Sequence, residues 1–368
     1  MVGGGPGSFI GGAHRRAANL DGLIELTAGC FSSDPAKSEI TGRELFLDPE
    51  RVYSDYRTMF KEEAKRPDKI DFVSIVTPNV SHCEIALAAL EAGFDVVCDK
   101  PMTTTLAEAE ALQAKVRETG RLFCLTHNYT AYPMVREARD IVRRGELGSI
   151  RKIVVEYPQG WLASAVTPDN KQGSWRTDPA RSGASCCMGD IGSHSENLAE
   201  FITGLQITEL CADLQSFVSG RTLDDDGSVL LRFDNGARGV LMASQISVGE
   251  ENALSIRVYG TEAALEWHQE VPETLIIKSN IGDRRVLRRN WAGRGGGDSR
   301  LPAGHPEGFF EAFANLYKDM ALNIAARIEG REYTAQYPTV DDGVRGVAFI
   351  EAVVKSSRSN EKWLKFEV

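Results

Sequence analysis

The chain has 368 residues, and its hydrophobic content of 42% and charged content of 26% are typical of globular proteins; this length favours two domains. The formal net charge of −10 disfavours a nucleic-acid backbone or an anionic membrane surface as a partner, and no apolar stretch reaches the ~20 residues that cross a bilayer. Seven cysteines without a CxxC pair, several of them in apolar runs, disfavour a zinc ribbon and indicate free thiols in a reducing compartment, so we expect a cytoplasmic protein.

The first third of the chain alternates short apolar runs with helical patterns. The runs at 23–30, 72–78, 95–101 and 121–127 predict strands, whereas the segments 84–93 and 106–120 predict helices. Strands that alternate with helices imply crossover connections and a parallel sheet. We therefore expect an α/β domain over residues 1–128, with a doubly wound, Rossmann-type parallel sheet.

The pattern becomes rich in strands after a predicted helix at 133–148. Apolar runs at 150–161, 207–218, 227–247, 254–267 and 274–279 predict strands, the DNGARG segment predicts a hairpin turn, and helical patterns follow at 308–330 and 344–357. We expect a second, α+β domain over residues 129–368 with an open, mostly antiparallel sheet. Val229 and Leu231 are predicted on one face, with Leu230 and Phe233 on the other. The uncovered face would join copies into a homodimer or homotetramer.

The opening MVGGGPGSFIGGAH is rich in glycine. Gly3, Gly5, Gly7 and Gly11 would let the backbone approach a pyrophosphate, and the N-terminus of a following helix would offer free N–H groups. A flexible start of the chain is the alternative. Because such a turn normally follows a whole strand and only two residues precede it here, we expect further apolar residues upstream in the natural protein.

The residues after the predicted strand 23–30 bear on the choice of cofactor. Ser32 or Ser33 occupies the place where an NAD site often carries an acidic residue, and Asp34 follows. Arg15 and Arg16 could instead bind the 2′-phosphate of NADP. The sequence leaves both cofactors open, as it does the alternative that these residues only build a turn.

Two further motifs follow predicted strands. TPNVSH places Asn79 and His82, and CDKP places Lys100, at carboxyl ends of strands, where open α/β sheets bind their ligands. A lysine in a surface loop is the alternative. A cis bond at Pro101 would fix the direction of the lysine.

Asp190 and His194 are four residues apart, which would put both on one face of a helix. A carboxylate can orient a histidine that moves a proton, although a helix cap beside an exposed histidine has the same spacing. A zinc site would need a third ligand, and no other histidine or cysteine has matching local spacing. A nucleophile at Cys186 or Cys187 would lack a cysteine-hydrolase signature.

Together these motifs resemble the Gfo/Idh/MocA family of nicotinamide-dependent sugar and cyclitol oxidoreductases over nearly the whole chain. The glycine-rich turn with His14 is similar to the family's turn and following histidine, and TPNVSH to its TPNxxH. CDKP resembles its EKP, with Asp99 in place of glutamate, and GDIGSHSENL resembles its DxGxH element. SWRTDP resembles the WR segment that precedes that element.

The resemblance implies a catalytic group of Lys100, Asp190 and His194, in which Lys100 or His194 takes the hydroxyl proton while hydride leaves for the nicotinamide. It implies cofactor contacts spread over the first domain and the WR segment: Gly3, Gly5, Gly7, Ser8, Phe9, Ile10, His14, Ser32, Ser33, Thr77, Pro78, Asn79, His82, Asp99, Lys100, Asn128, Trp175 and Arg176. The substrate contacts expected beside the catalytic group come from aromatic rings and hydroxyl-binding side chains: Tyr129, Tyr132, Trp161, Arg176 and His305. No metal is implied.

The implied activity is oxidation of a ring hydroxyl, or reduction of the ketone, in a sugar, glycoside or cyclitol, with NAD as cofactor and NADP not excluded. One alternative is NAD-dependent cleavage of a glycoside by transient oxidation and elimination; another is a non-catalytic NAD sensor. The glycine-rich loop 291–308 is predicted to fold over the substrate with His305 on a sugar hydroxyl. A plain surface loop, with Glu307 serving the helix dipole, is the alternative.

Overall fold

The computed structural model describes residues 1–167 and 169–368. Its strands are, in chain order, β1 Val2–Gly3, β2 Phe72–Val76, β3 Asp95–Cys98, β4 Phe123–Leu125, β5 Lys152–Pro158, β6 Ile207–Gln215, β7 Asp226–Phe233, β8 Arg238–Ser244, β9 Ser255–Tyr259, β10 Ala263–His268, β11 Thr274–Ser279, β12 Arg284–Arg288 and β13 Leu364–Lys365. The α-helices are α1 Phe9–Asn19, α2 Pro35–Glu44, α3 Tyr56–Glu63, α4 His82–Glu91, α5 Leu106–Thr119, α6 Pro133–Arg143, α7 Lys171–Arg176, α8 Pro179–Ser182, α9 Ser193–Thr203, α10 Phe309–Ile328 and α11 Val340–Ser357.

The chain divides into two compact units. The first comprises Met1–Asn128 and Phe309–Val344, and the second comprises Tyr129–Gly308 and Arg345–Val368. The first unit therefore includes residues 309–344, which the sequence analysis placed in the second domain. Among the described residues, no helix is both long enough and apolar enough to cross a membrane.

The first unit is built on a parallel sheet. Within the described residues it has four strands in the order β1-β2-β3-β4, all parallel, which confirms the predicted doubly wound α/β fold. The strands are buried on both faces, so their sequences are continuous apolar runs instead of alternating ones. Helix α5 begins at a capping box formed by Thr105 and Glu108 and ends at Gly120 in the left-handed conformation, as its flanking residues predict.

The predicted strand 23–30 is wrong for most of its length. Only Gly29 and Cys30 form isolated bridges, to Val52 and Val2 respectively. The physical reason is that β1, the neighbour with which this run would pair, has two residues and offers few backbone groups to a longer partner. Helices α2 and α3, which connect this segment to β2, were not predicted, because their apolar residues are too sparse to form a continuous stripe.

The second unit is built on a large open sheet. Within the described residues the strand order is β12-β11-β10-β9-β5-β8-β7-β6-β13, and every neighbouring pair is antiparallel except β5 with β8. This confirms the predicted α+β domain. In β7, Val229, Leu231 and Phe233 are buried, whereas Leu230 is 46% exposed. The predicted placement of Phe233 beside Leu230 is therefore wrong, because side chains of a strand alternate with a period of two.

Candidate active site

The glycine-rich turn forms a cradle between β1 and α1. Gly3, Gly4 and Gly7 have positive φ angles, of 86°, 80° and 77°, which other residues rarely adopt. A Cβ on Gly11 would lie 2.3 Å from the Cα of Gly4, so the helix and the turn approach as closely as their backbones allow. Ser8 caps α1 by accepting a hydrogen bond from the backbone N–H of Gly11. The turn therefore presents bare backbone beside a helix N-terminus, an arrangement that suits a pyrophosphate.

The basic residues of α1 are engaged within the first unit. Arg15 donates a 2.8 Å hydrogen bond from Nη1 to the carbonyl oxygen of Gly4, and the guanidinium of Arg16 lies 5.6 Å from the ring centroid of Phe310. Asp34 caps α2 by accepting from the backbone N–H of Ala36, and its own N–H donates to Ser32 Oγ. The hydrogen bond of Arg15 fixes the glycine-rich turn, and the hydrogen bonds of Ser32 and Asp34 fix the segment after Cys30.

Histidine 82 joins the two loops that follow β2 and β3. Its buried ring places Nε2 2.8 Å from the carbonyl oxygen of Thr77 and Nδ1 2.9 Å from that of Pro101. The peptide bond between Lys100 and Pro101 is cis. His82 thus holds the TPNVSH and CDKP motifs together, and we propose that its contribution to cofactor binding is to position these loops.

Asp99 organises the main chain next to Lys100. Its Oδ1 accepts hydrogen bonds from the N–H of Lys100, at 2.9 Å, and from Thr126 Oγ1, at 3.0 Å. His127 follows Thr126 and is buried; burial, and then the positive charge of Lys100, lower the pKa of His127 to about 3. Half-buried Lys100 therefore has a neutral imidazole in its surroundings, at the carboxyl end of β3.

A buried polar chain runs behind these loops. His14 Nδ1 lies 2.7 Å from the hydroxyl of Tyr317 on α10, which lies 2.7 Å from Ser74 Oγ on β2. The other ring nitrogen, Nε2, is 3.9 Å from Asp99 Oδ1. Burial lowers the pKa of His14 to about 4 and raises that of Tyr317 well above its usual range, so both are neutral at pH 7. His14 thus links the glycine-rich helix to α10 and β2, and its Nε2 has no hydrogen-bond partner among the described residues.

The end of the first unit carries a buried donor. The side chain of Asn128 is buried, and its Nδ2 has no hydrogen-bond partner among the residues that the structure describes. A buried amide without a partner is costly, so a bound group with an acceptor oxygen would fit it. Together with the bare backbone of the cradle, this donor matches the phosphate and carboxamide oxygens of a nicotinamide dinucleotide.

In the second unit, the segment before α9 is a π-helical turn, Met188–Gly192. The buried Asp224 carboxylate organises its start: it accepts from the backbone N–H groups of Cys186 and Met188 and from Ser185 Oγ, all within 3.0 Å. Asp190 lies in this turn and His194 in α9, so a change of helix type separates two residues that the sequence placed on one regular helix. Such insertions are frequent at functional sites.

The carboxylate of Asp190 is held by two donors. Arg176 Nε, at 2.9 Å, and Gln245 Nε2, at 3.0 Å, both donate to Oδ2. Gln245 has no exposed surface and its Oε1 accepts from the thiol of Cys186, which fixes the orientation of the amide. The guanidinium of Arg176 also lies 4.3 Å from the ring centroid of Trp175 and 5.8 Å from that of Trp161. The structure therefore brings together the predicted residues Asp190, Arg176, Trp175 and Trp161.

His194 packs against tyrosine rings. Its centroid is 4.7 Å from that of Tyr129 and 6.3 Å from that of Tyr157, and the two phenolic oxygens are 2.5 Å apart. Asn252 bonds to both hydroxyls, accepting from Tyr157 at 2.7 Å and donating to Tyr129 at 3.2 Å. Tyr132 stacks parallel to Tyr129. The predicted residue Tyr129 thus contacts the ring of His194, and the predicted residue Tyr132 packs on Tyr129.

The loop 291–308 is anchored from within the second unit. The buried Arg289 guanidinium donates to the carbonyl oxygens of Leu301, at 2.9 Å, and His305, at 2.5 Å. Buried Glu307 accepts from the backbone N–H of Leu301 and so holds the loop itself. The imidazole of His305 is exposed. Its contact with substrate stays a prediction.

Sequence reasoning missed Gln245, Tyr157, Asn252 and Asp224. Tyr157 lies in β5 and Gln245 follows β8, whereas Asp224 and Asn252 lie in the loops before β7 and β9. None of the four is part of a recognisable motif. The signal that could have found Tyr157 and Gln245 is a polar side chain at the end of an apolar strand. The alternative of a cysteine nucleophile gains no support, because burial raises the pKa of the Cys186 and Cys187 thiols and keeps them protonated.

Comparison with known proteins agrees with this geometry. The oxidoreductase family with an NAD-binding Rossmann fold matches residues 1–127, and the Gfo/Idh/MocA C-terminal domain matches residues 135–266. The uncharacterized oxidoreductase YfiI of Bacillus subtilis (strain 168) is 36% identical over 100% of this chain and 96% of its own length. The chain belongs to the Gfo/Idh/MocA family.

Two relatives of this Gfo/Idh/MocA protein indicate the kind of ligand that the family binds. An inositol dehydrogenase homolog from Azotobacter vinelandii, solved with NADH and myo-inositol, has a TM-score of 0.92 and 37% identity, covering 100% of this chain and 96% of that one. Levoglucosan dehydrogenase of Pseudarthrobacter phenanthrenivorans (strain DSM 18606 / JCM 16027 / LMG 23796 / Sphe3) is 28% identical over 86% of this chain and 83% of that protein. The first unit is accordingly an NAD-binding Rossmann domain, and the protein is an oxidoreductase.

Proposed function

We propose that this oxidoreductase oxidises a ring hydroxyl of a cyclitol or sugar, or reduces the corresponding ketone, with NAD as cofactor. The observation that carries the proposal is the Asp190 carboxylate, held by Arg176 and Gln245 next to two tryptophan rings. Aromatic faces suit the C–H faces of a saturated ring, and charged donors and acceptors suit its hydroxyls. The relatives solved with myo-inositol and levoglucosan support the same substrate class.

Removing hydride from a secondary alcohol requires that its hydroxyl proton leave as well. When bound, NAD supplies the hydride acceptor. We assign the proton to Lys100, whose backbone is fixed by Asp99 and whose surroundings include the neutral His127. The alternative acceptor is His194, whose ring is fixed by Tyr129 and Tyr157. Asp190, whose carboxylate is held by Arg176 and Gln245, orients either the substrate hydroxyl or the imidazole of His194.

Cofactor preference follows from the contacts of the arginines in α1. The 2′-phosphate of NADP needs a free cation near the segment that follows Cys30. Arg15 is bound to the Gly4 carbonyl and Arg16 lies over Phe310, so a 2′-phosphate would have to replace these contacts. We propose that NAD binds more tightly than NADP.

The outer face of the large sheet supports a homo-oligomer. The register aligns Cys211, Leu230, Val240 and Val154 in one row across β6, β7, β8 and β5. Arg232 donates to Glu209 at 2.8 Å beside this row, and Arg257 pairs with Glu156 on its other side. An apolar row bordered by balanced ion pairs matches a second copy of the same surface, and we propose that a dimer or tetramer forms through it.

The test is a cofactor-coupled assay of the purified protein with myo-inositol, other cyclitols, anhydrosugars, aldoses and glycosides. We expect NADH to accumulate in proportion to oxidised product with at least one cyclitol or sugar, and more readily than NADPH. Release of aglycone from a glycoside without net NADH would instead identify the glycoside-cleaving alternative. Substrate binding without either signal would favour the sensor.

A further inference from the structure

A buried arginine in the second unit has an unused side. Arg136 lies in the second turn of α6, and its side chain is 8% exposed. Its Nη1 donates to Asp298 Oδ1 at 2.5 Å, in the loop after β12. Nε and Nη2 have no hydrogen-bond partner among the described residues. Leaving two N–H groups of a cation buried and unpaired is costly, so the feature requires an explanation.

The two unpaired nitrogens form one edge of the guanidinium. Nε–H and Nη2–H point in nearly the same direction, and this fork matches the spacing of two oxygens in a carboxylate or phosphate group. Asp298 accepts its hydrogen bond from Nη1, so the N–H groups of Nε and Nη2 on this edge are not used by Asp298. The geometry therefore fits an oxyanion that binds with two oxygens.

The loop beside Arg136 is held in place. Gly295 has a φ of 65°, and a Cβ there would lie 2.7 Å from Cβ of Pro133, the first residue of α6. On the far side, Arg289 holds the carbonyl of Leu301. Ser299, which follows Asp298, has a buried Oγ without a hydrogen-bond partner among the described residues. A second polar group that lacks a partner thus lies one residue from the ion pair.

The charge of this region also favours an anion. Residues 284–300 contain six arginines and one aspartate, a net charge of +5, in a chain whose formal net charge is −10. Within this stretch Arg289 is neutralised by Glu273 and Glu307. Arg285 lies 3.9 Å from Glu146 and Arg294 lies 3.9 Å from Glu137, whereas Arg284 and Arg288 are exposed on β12. An anionic ligand would be attracted to this part of the second unit.

We propose that the Nε–Nη2 edge of Arg136 binds the carboxylate or phosphate group of a small-molecule ligand, with Ser299 Oγ as an additional hydrogen-bonding group. Arg136, Asp298 and Ser299 are not among the residues assigned to the redox reaction, and the proposal does not depend on the proposed function. Inorganic phosphate and malonate are suitable probes, because each presents paired oxygens and together they separate the two chemical classes.

The test is calorimetric titration of the full-length protein with inorganic phosphate or malonate, against sodium chloride at matched ionic strength. Saturating NAD is present so that the glycine cradle is occupied. We expect the wild type to bind at least one oxyanion, and Arg136→Lys, which keeps the charge but loses the fork, to bind it at least tenfold more weakly. Arg144→Lys on the exposed end of the same helix is the matched control, and its affinity should stay within twofold of the wild type.

A second variant keeps the test decisive if Arg136→Lys does not fold. Asp298→Asn removes the competing negative charge at a residue whose side chain is 28% exposed, so it should tighten oxyanion binding severalfold. The proposal is overturned if neither oxyanion binds the wild type beyond the effect of chloride. It is equally overturned if Arg136→Lys binds like the wild type or if Asp298→Asn leaves the affinity unchanged.

Discussion

Replacing Gln245 by leucine should slow the reaction without disturbing the fold. The side chain is fully buried, so leucine of similar volume fills its space, but it removes the donor that lies 3.0 Å from Asp190 Oδ2. A hydrogen bond to a charged group contributes about 2 kcal/mol, which corresponds to a decrease of about 30-fold in rate if the contact acts in the transition state. Arg176 remains on the same oxygen, so Asp190 keeps one donor but is less well oriented.

The assay is steady-state NADH formation on the best substrate of the panel, together with NAD binding and thermal unfolding. We expect kcat to fall about 30-fold for Gln245→Leu, with NAD affinity within twofold of the wild type. Gln245→Glu places a second carboxylate beside Asp190, so it should be slow at neutral pH and recover in part on acidification, when the added carboxyl group is protonated. Cys186→Ala is the matched control, since it removes only the weak thiol donor to the Gln245 amide.

A kcat for Gln245→Leu within twofold of the wild type would refute the reasoning, because Asp190 would then need no second donor. A loss confined to protein stability, with normal turnover of the folded fraction, would refute it as well.

Four further outcomes are expected. Lys100→Ala should lower turnover by ~10²–10⁴ at unchanged NAD affinity, as for other positioned acid–base groups; normal turnover at saturating substrate would remove Lys100 from the mechanism. Burial lowers the pKa of His14 from 6.5 to about 4. Between these two pH values the imidazole is protonated in the unfolded chain and neutral in the folded chain. Its contribution should reduce the free energy of unfolding by about 3 kcal/mol on going from pH 7 to pH 4. Urea unfolding of His14→Gln should show a correspondingly smaller loss. Gly11→Ala should weaken NAD binding at least tenfold, since its Cβ would meet Gly4 Cα at 2.3 Å; unchanged affinity in a titration would show that the cradle can relax. Leu230→Lys should shift the mass in light scattering toward the 40.3 kDa monomer, and a monomeric wild type would exclude the interface.

The sequence predicts the architecture where local signals agree. Thr105 and Gly120 mark both ends of α5, and the alternation of apolar runs with helices predicts the parallel sheet. The sequence does not predict a strand correctly where its pairing depends on a partner far away in the chain. The apolar run 23–30 has the composition of a strand, yet β1 offers it two residues, and only Gly29 and Cys30 are paired.

The same distinction holds for the candidate site. Lys100 was proposed from its place after a strand, Asp190 from its spacing to His194, and Arg176 from the resemblance of SWRTDP to the family's WR segment. Gln245 could not be assigned to Asp190, because 55 residues separate them and only the packing of β8 on the π-helical turn brings the two side chains together. His14 illustrates a further limit, since its partner Tyr317 lies 303 residues away on α10. Sequence spacing shows which residues carry chemistry, whereas the groups that orient them come from tertiary contacts.

The most direct test of the central claim is absorbance at 340 nm during incubation of the purified protein with NAD and myo-inositol, levoglucosan and the wider panel of ring polyols. We expect NADH to form in an amount equal to the ketone or lactone produced with at least one of them, and we expect Lys100→Ala to lose this activity. If the protein binds NAD but none of these polyols yields NADH, and none of the corresponding ketones consumes it, the proposed function is contradicted.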